Sequence, residues 1–206
     1  SKDYPIGQLR HINLVNPEDR AIISNYFGEY LADKSGVMTH NTKFVRVFIN
    51  NKYVGLYHHT TREDEEMIRV NDRFPGPLFI GDDLSEVWDA KDFEISGDKD
   101  ILENFNPIKK MVNAINSDSS VEQYKNLWSI LDMDKYAKFN ALLSLAGGVH
   151  TDYTHNHLYY FDPTSGLLEP IISDINGHGL QLYPSPLTRL FEPNKPNIKV
   201  PLNGQN

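Results

Sequence analysis

Residues 147–179 read GGVHTDYTHNHLYYFDPTSGLLEPIISDINGHG, and the fold turns on this stretch. Gly147 and Gly148 stop a preceding helix. An irregular loop carrying His150, Asp152, His155 and Asn156 follows, then an aromatic strand over 157–161. The turn D-P-T-S-G leads into a second apolar strand over 167–172. Asp174 stands just past that strand, followed by Asn176 and Gly177. A hairpin returns on itself, so residues entering its first strand lie beside those leaving its second. Asp152, Asn156 and Asp174 are thereby predicted to reach one pocket.

Two carboxylates and an amide oxygen are hard donors, suited to magnesium or another hard cation rather than to zinc or copper. Phosphoryl transfer needs little more. One carboxylate orients the acceptor hydroxyl, while an Asn and a second Asp hold the metal ions that neutralise the nucleotide phosphates. Protein kinases supply these groups in the order helix, catalytic loop, hairpin, Asp-x-Gly. This chain follows that order, with a predicted helix over 133–146, the loop, the hairpin, then Asp174 and Gly177. It has neither His-Arg-Asp nor a glycine-rich phosphate loop.

The size, 206 residues with 39% hydrophobic content, allows one domain, or one domain with two lobes. A formal charge of −8 argues against a nucleic-acid backbone as partner and suits a cationic protein substrate. The absence of cysteine excludes disulfide and thiolate chemistry and any cysteine-held zinc. Apolar runs such as ALLSLAGGV are too short to span a bilayer. The chain begins at Ser1 with no visible signal peptide, which reads as a processed product or a piece of a longer chain.

Upstream, residues 8–14 alternate as a short strand. Asn16-Pro17-Glu18-Asp19 starts a helix predicted to reach Ala32 and to bury Ile22, Ile23, Tyr26, Phe27, Tyr30 and Leu31. Residues 33–41 read as a loop. KFVRVFI (43–49) and YVGLYHHT (53–60) form the clearest hairpin, because Asn50 and Asn51 tolerate the left-handed turn positions. Arg46 shares a strand face with Phe44 and Phe48, which calls for either a structural ion pair or a phosphate contact. The run REDEE (62–66) reads as a solvated helix start. Short strands are expected at Leu78–Ile80 and within 88–96. Helices are expected over 99–116, from Ser119 or Ser120 to Ile130, and over 133–146 behind an Asp132 cap. The last is predicted to turn Met133, Tyr136, Ala137, Asn140, Leu143 and Leu145 inward. From Pro184 onward the tail is rich in Pro and Asn.

The segment HTDYTHNHLYYFDPTSGLLEPIISDINGHG resembles the H-N-x-x-L-Y…D-P…G…E-P-I…D block of the spore-coat CotH kinase family. KFVRVFINNKYVGLY resembles that family's strand pair, with its turn and following G-x-Y, and LDMDKYAKFNALLSLAGG fits its helix. The likeness covers roughly residues 8–192. It implies an α+β, atypical protein-kinase-like fold of two lobes. Residues 1–97 would form a small β-rich lobe, and 98–206 a helical lobe carrying the catalytic-loop hairpin. It further implies ATP with Mg2+ (or Mn2+) as cofactors, and Ser or Thr of a protein, cationic or Ser-rich, as acceptor. An extracellular, cell-surface or spore-coat address is also implied. Carried over, Asp152 is the catalytic-loop carboxylate, and Asn156 and Asp174 are metal ligands; the phosphate-contact reading of Arg46 would set it beside them as a nucleotide-binding residue.

The chain departs from the family pattern in three places. Thr151 stands where the catalytic Asp often lies, Asn176 replaces the second acid of a D-x-D, and Thr61 replaces an acid after G-x-Y. Two other readings stay open: a non-catalytic surface or spore-coat binding module, and a metal-dependent hydrolase using His150, Asp152, His155 and His157.

Overall fold

The computed structural model describes residues 11–16, 23–81, 93–97, 105–146 and 157–175. Within them the strands are β1 (Asn13–Val15), β2 (Met38–Thr39), β3 (Lys43–Ile49), β4 (Lys52–Thr60), β5 (Leu78–Gly81), β6 (Phe93–Ser96), β7 (Leu158–Asp162) and β8 (Leu167–Ile172). The helices are α1 (Ser24–Ser35), α2 (Glu65–Val70), α3 (Pro107–Ile115), α4 (Ser120–Trp128) and α5 (Met133–Ala146). The chain is therefore mixed α and β. One sheet has the order β1-β4-β3 and the other β2-β8-β7-β5-β6, so strands from both sides of residue 97 share the second sheet.

The hairpin β7–β8 forms as its turn residues dictate. The Thr164 amide donates to Asp162 Oδ1 at 2.8 Å, and Gly166 takes a φ of 72°, a conformation open to glycine. Its register pairs Leu158 with Ile171, which brings the chain entering β7 alongside the chain leaving β8. Both faces of β7 are covered. Leu158 and Tyr160 pack with Met67 and Ile68 of α2, while Tyr159 and Phe161 pack with Ile108, Met111 and Val112 of α3. A strand buried on both sides carries an unbroken apolar run, which is what LYYF is. The one buried acid of β8, Glu169, is neutralised by Lys135 of α5 and by Arg73 at 3.2 Å.

The other predicted hairpin also forms. Asn50 and Asn51 take φ values of 49° and 61°, the pair of left-handed residues a two-residue turn needs. The helix starts at Ser119 and Asp132 hold as well. The Ser119 hydroxyl accepts the Glu122 amide, and Asp132 Oδ1 accepts the Lys135 amide at 3.0 Å.

Local pattern misjudged three faces. Ile23, just before α1, and Tyr26, Phe27 and Tyr30 within it are exposed, and the buried positions are Gly28, Glu29 and Ala32. The reason is a close approach: a Cβ on Gly28 would stand 1.9 Å from Ile175 Cγ2, so only the glycine face fits against the end of the five-stranded sheet. Ile22, within 17–22, lies outside the described residues. In α5, Ala137, Asn140 and Leu145 are exposed, while Phe139, Leu142 and Leu143 pack with Ala32, Val37, Ile172 and Ile175. The α2 start is not wholly solvated, since Glu66, Met67 and Ile68 are buried. Within the predicted loop 33–41, β2 adds a short parallel edge to β8, pairing Met38 with Ile171 and Thr39 with Ile172.

Candidate functional site

Where β8 ends, its chain is met by the ends of β2 and β4 and by one face of α1. The β2–β8 register carries His40 alongside Ser173. His40 Nδ1 donates to the Thr61 carbonyl at 2.8 Å, just past β4, and Nε2 lies 3.0 Å from Ser173 Oγ and 3.5 Å from Glu63 Oε1. Burial pushes the His40 imidazole down. The Glu63 hydrogen bond, the charges of Glu29 and Glu63, and the Thr61 carbonyl outweigh it, so its pKa is raised. The same His40 bond, against burial, holds Glu63 below its ordinary value. His40 thus joins the end of β2 to the chain just past β4 and to the end of β8.

Asp174 follows directly. Its φ of 48° is uncommon for a residue other than glycine and turns the chain sharply out of β8. Asn25 Nδ2, from the first turn of α1, donates to Asp174 Oδ1 at 3.0 Å. One turn on, Glu29 is 4% exposed, a depth that demands compensation for a carboxyl. Burial pushes Glu29 up to about 7, with the nearby Asp174 charge adding to the rise and His40 and a Thr42 hydrogen bond opposing it. His58 Nε2 of β4 lies 3.5 Å from Glu29 Oε2, beyond a good hydrogen bond, and burial holds that imidazole below its usual value.

Asn25 Oδ1, Glu29 Oε2 and His58 Nε2 are buried with no hydrogen-bond partner. Two of these atoms, Asn25 Oδ1 and Glu29 Oε2, are oxygens of the hard kind that Mg2+ or Mn2+ takes, and the first belongs to the side chain that holds Asp174. Among the described residues, the His, Asp and Glu ligand atoms that lie within 4.8 Å of one another belong to a different trio, His11, Asp64 and Glu66. There Asp64 caps α2, and Arg62 and Arg69 stand against the two carboxylates at 3.7 and 3.5 Å, so arginines already meet that charge.

The sequence-predicted residues divide as follows. Asp174 stands two residues past the end of β8. Asp152 and Asn156 lie outside the described residues, as do His150, Thr151, His155 and Asn176. His157 stands at the entry to β7, its ring stacked on Tyr159. Arg46 is exposed on β3 opposite Leu56, so water meets its charge and the strand face asks for no ion pair. Thr61 is buried; its hydroxyl accepts the Asn41 amide at 2.9 Å, and Glu63, two residues on, brings a carboxylate to His40.

Sequence reasoning missed Asn25, Glu29, His40, Glu63 and Ser173. One faint signal was present, an acid between Gly28 and Ala32 on the inward side of α1. No helix among the described residues is long and apolar enough to cross a membrane. The family model described as "CotH kinase protein" matches residues 1–180. No curated protein gives a significant match.

Proposed function

The chain belongs to the CotH kinase family, and from that premise we propose that it transfers the terminal phosphoryl group of ATP, with a divalent metal, to Ser or Thr hydroxyls of a protein substrate. One observation carries the reading: Asp174, at the exit of a buried hairpin, is turned into the left-handed region and gripped by α1 beside unpaired buried oxygens. When bound, Mg2+ spreads the phosphate charge and lowers the barrier to displacement at phosphorus. The residues assigned to hold it are Asp174 and Asn156. Asp152 is assigned to orient the acceptor hydroxyl and accept its proton as the new O–P bond forms and ADP leaves. Exposed Arg46 is the proposed phosphate contact on the small-lobe side. In a two-lobed kinase-like arrangement, the three-stranded sheet belongs to one lobe and the helices after residue 97 to the other, with the His40–Glu63–Ser173 cluster at their seam.

Thermal unfolding with ATP, with and without Mg2+, tests the binding half. A ligand that binds only the folded chain stabilises it by about 2.7 kcal/mol at a hundredfold excess over its Kd. The expected result is Mg2+-dependent stabilisation that Asp174→Ala abolishes. Phosphate transfer from ATP to a Ser-rich basic protein tests the chemistry. Asp152→Ala is expected to keep the stabilisation and lose the transfer; normal transfer by that variant removes Asp152 from its role. Stabilisation without transfer by the unsubstituted chain supports the non-catalytic binding module, and stabilisation by zinc alone supports the hydrolase.

A further inference from the structure

Three consecutive residues at the end of β8 are each held by a different contact. Ser173 meets His40 at 3.0 Å, Asp174 accepts from Asn25 at 3.0 Å, and Ile175 fills the hollow left by the missing side chain of Gly28. The last β-ladder pair is Thr39 with Ile172, so backbone pairing stops short of Asp174. α1 supplies two of the three contacts, from positions three apart on one helix face.

The Asn25 amide is an unusual choice for a purely structural contact. Its Nδ2 is used on Asp174, but its Oδ1 is buried without a hydrogen-bond partner, which costs free energy at every moment the chain is folded. An apolar residue of the same shape avoids that cost. A Lys or Arg in its place supplies a stronger bond, yet cancels the charge a metal ion requires. A neutral N–H donor does neither: it restrains the carboxylate oxygen it meets and adds no positive charge of its own.

We propose that Asn25 is a positioning residue for the divalent-cation site, acting through its hydrogen bond to the Asp174 carboxylate. The proposal rests on the reading of Asp174 as a metal ligand. Outer-shell partners of this kind hold ligands in the geometry a cation selects, and their removal weakens metal binding with little change to the fold.

The test uses Mn2+ binding to the nucleotide-free chain, followed by the electron paramagnetic resonance signal of the free ion, with thermal unfolding alongside. Asn25→Leu removes both ends of the amide and keeps its branching in a larger side chain, and Asn25→Ala removes them with a smaller one. Both are expected to raise the Mn2+ Kd about tenfold, the lower end of what outer-shell partners contribute. Asn25→Leu is expected to unfold at the same temperature as the unsubstituted chain or above it, because the orphaned oxygen has gone. A structural asparagine gives the reverse pattern, a lower unfolding temperature at unchanged Kd, and that result overturns the proposal. Asp174→Asn separates this from the site reading. If it abolishes Mn2+ binding while both Asn25 variants bind normally, the site stands and the role of Asn25 falls. If Asp174→Asn binds Mn2+ as the unsubstituted chain does, the site reading falls and takes the proposal with it.

Discussion

The two sheets treat the same raw material differently. In the five-stranded sheet, Tyr160 and Leu168 are fully buried and Phe79 nearly so, because α2 covers one face and α3 packs on the other. In the three-stranded sheet, Phe48, Ile49, Tyr53, Val54 and Leu56 are exposed, although β3 and β4 carry the same kinds of aromatic and aliphatic side chain as β7 and β8. Turn chemistry makes a hairpin; burial depends on what the rest of the chain lays over it. Only the far end of β4, His58 and His59, is buried, and there the smaller sheet approaches the end of β8.

The largest expected effect sharpens that contrast. Leu168→Ala removes a side chain that is 0% exposed and leaves a cavity against Ile130 and Tyr159, which costs about 3–4 kcal/mol of stability. Leu56→Ala, the same chemical change at a position 41% exposed, is expected to cost under about 1 kcal/mol. Urea unfolding of the two variants measures both. Equal losses mean that the small sheet packs against far more than its exposure indicates.

The same division explains what the sequence made legible. Both hairpins and the caps of α4 and α5 were readable, because Asn50-Asn51, D-P-T-S-G, Ser119 and Asp132 act on neighbours within a few residues. The buried face of α1 was not, since aromatic residues at helical spacing outvoted a glycine whose value lies in its approach to Ile175. β2 is two residues long and exists by pairing with β8, so no periodicity announces it. The polar seam was the least legible part. Asn25 and Asp174 are 149 positions apart and His40 and Ser173 are 133 apart, so only the assembled fold joins them. Asp174 was singled out from its place after a hairpin, which is a local signal; Asn25, which donates to it, has none.

The second effect tests the seam between the sheets. Burial raises Glu29 from 4.5 to about 7, so the folded chain holds a proton there that the unfolded chain releases. A carboxyl raised on folding contributes its stability below the unfolded value and loses it as pH climbs through the folded one. Glu29→Gln cannot titrate. At pH 4 the variant and the unsubstituted chain are expected to match, because both carry a neutral group. Across pH 4.5 to 7 they diverge, and by pH 8, without metal, the variant is the more stable by about 2–3 kcal/mol. Urea midpoints across that range read the difference. A flat difference between pH 4 and 8 means that folding leaves the Glu29 carboxyl with the same pKa that it has in the unfolded chain.

The smallest effect sets the two turns against each other. Gly166 and Asn51 both sit in the left-handed region, with φ values of 72° and 61°. Nothing lies within 4 Å of a Cβ on Gly166, so Gly166→Ala tests backbone conformation alone. It is expected to cost about 1 kcal/mol, the penalty a Cβ meets at positive φ. Asn51→Ala is expected to cost about half as much, because asparagine already carries part of that penalty and offsets it through its short polar side chain. The two losses should keep this order although one turn closes a buried hairpin and the other an exposed one, since each turn residue acts on its own backbone. A reversal places the difference in the strands: the β3–β4 ribbon, with little packed on it, would then depend on its turn more heavily than the ribbon that α2 and α3 hold from either side.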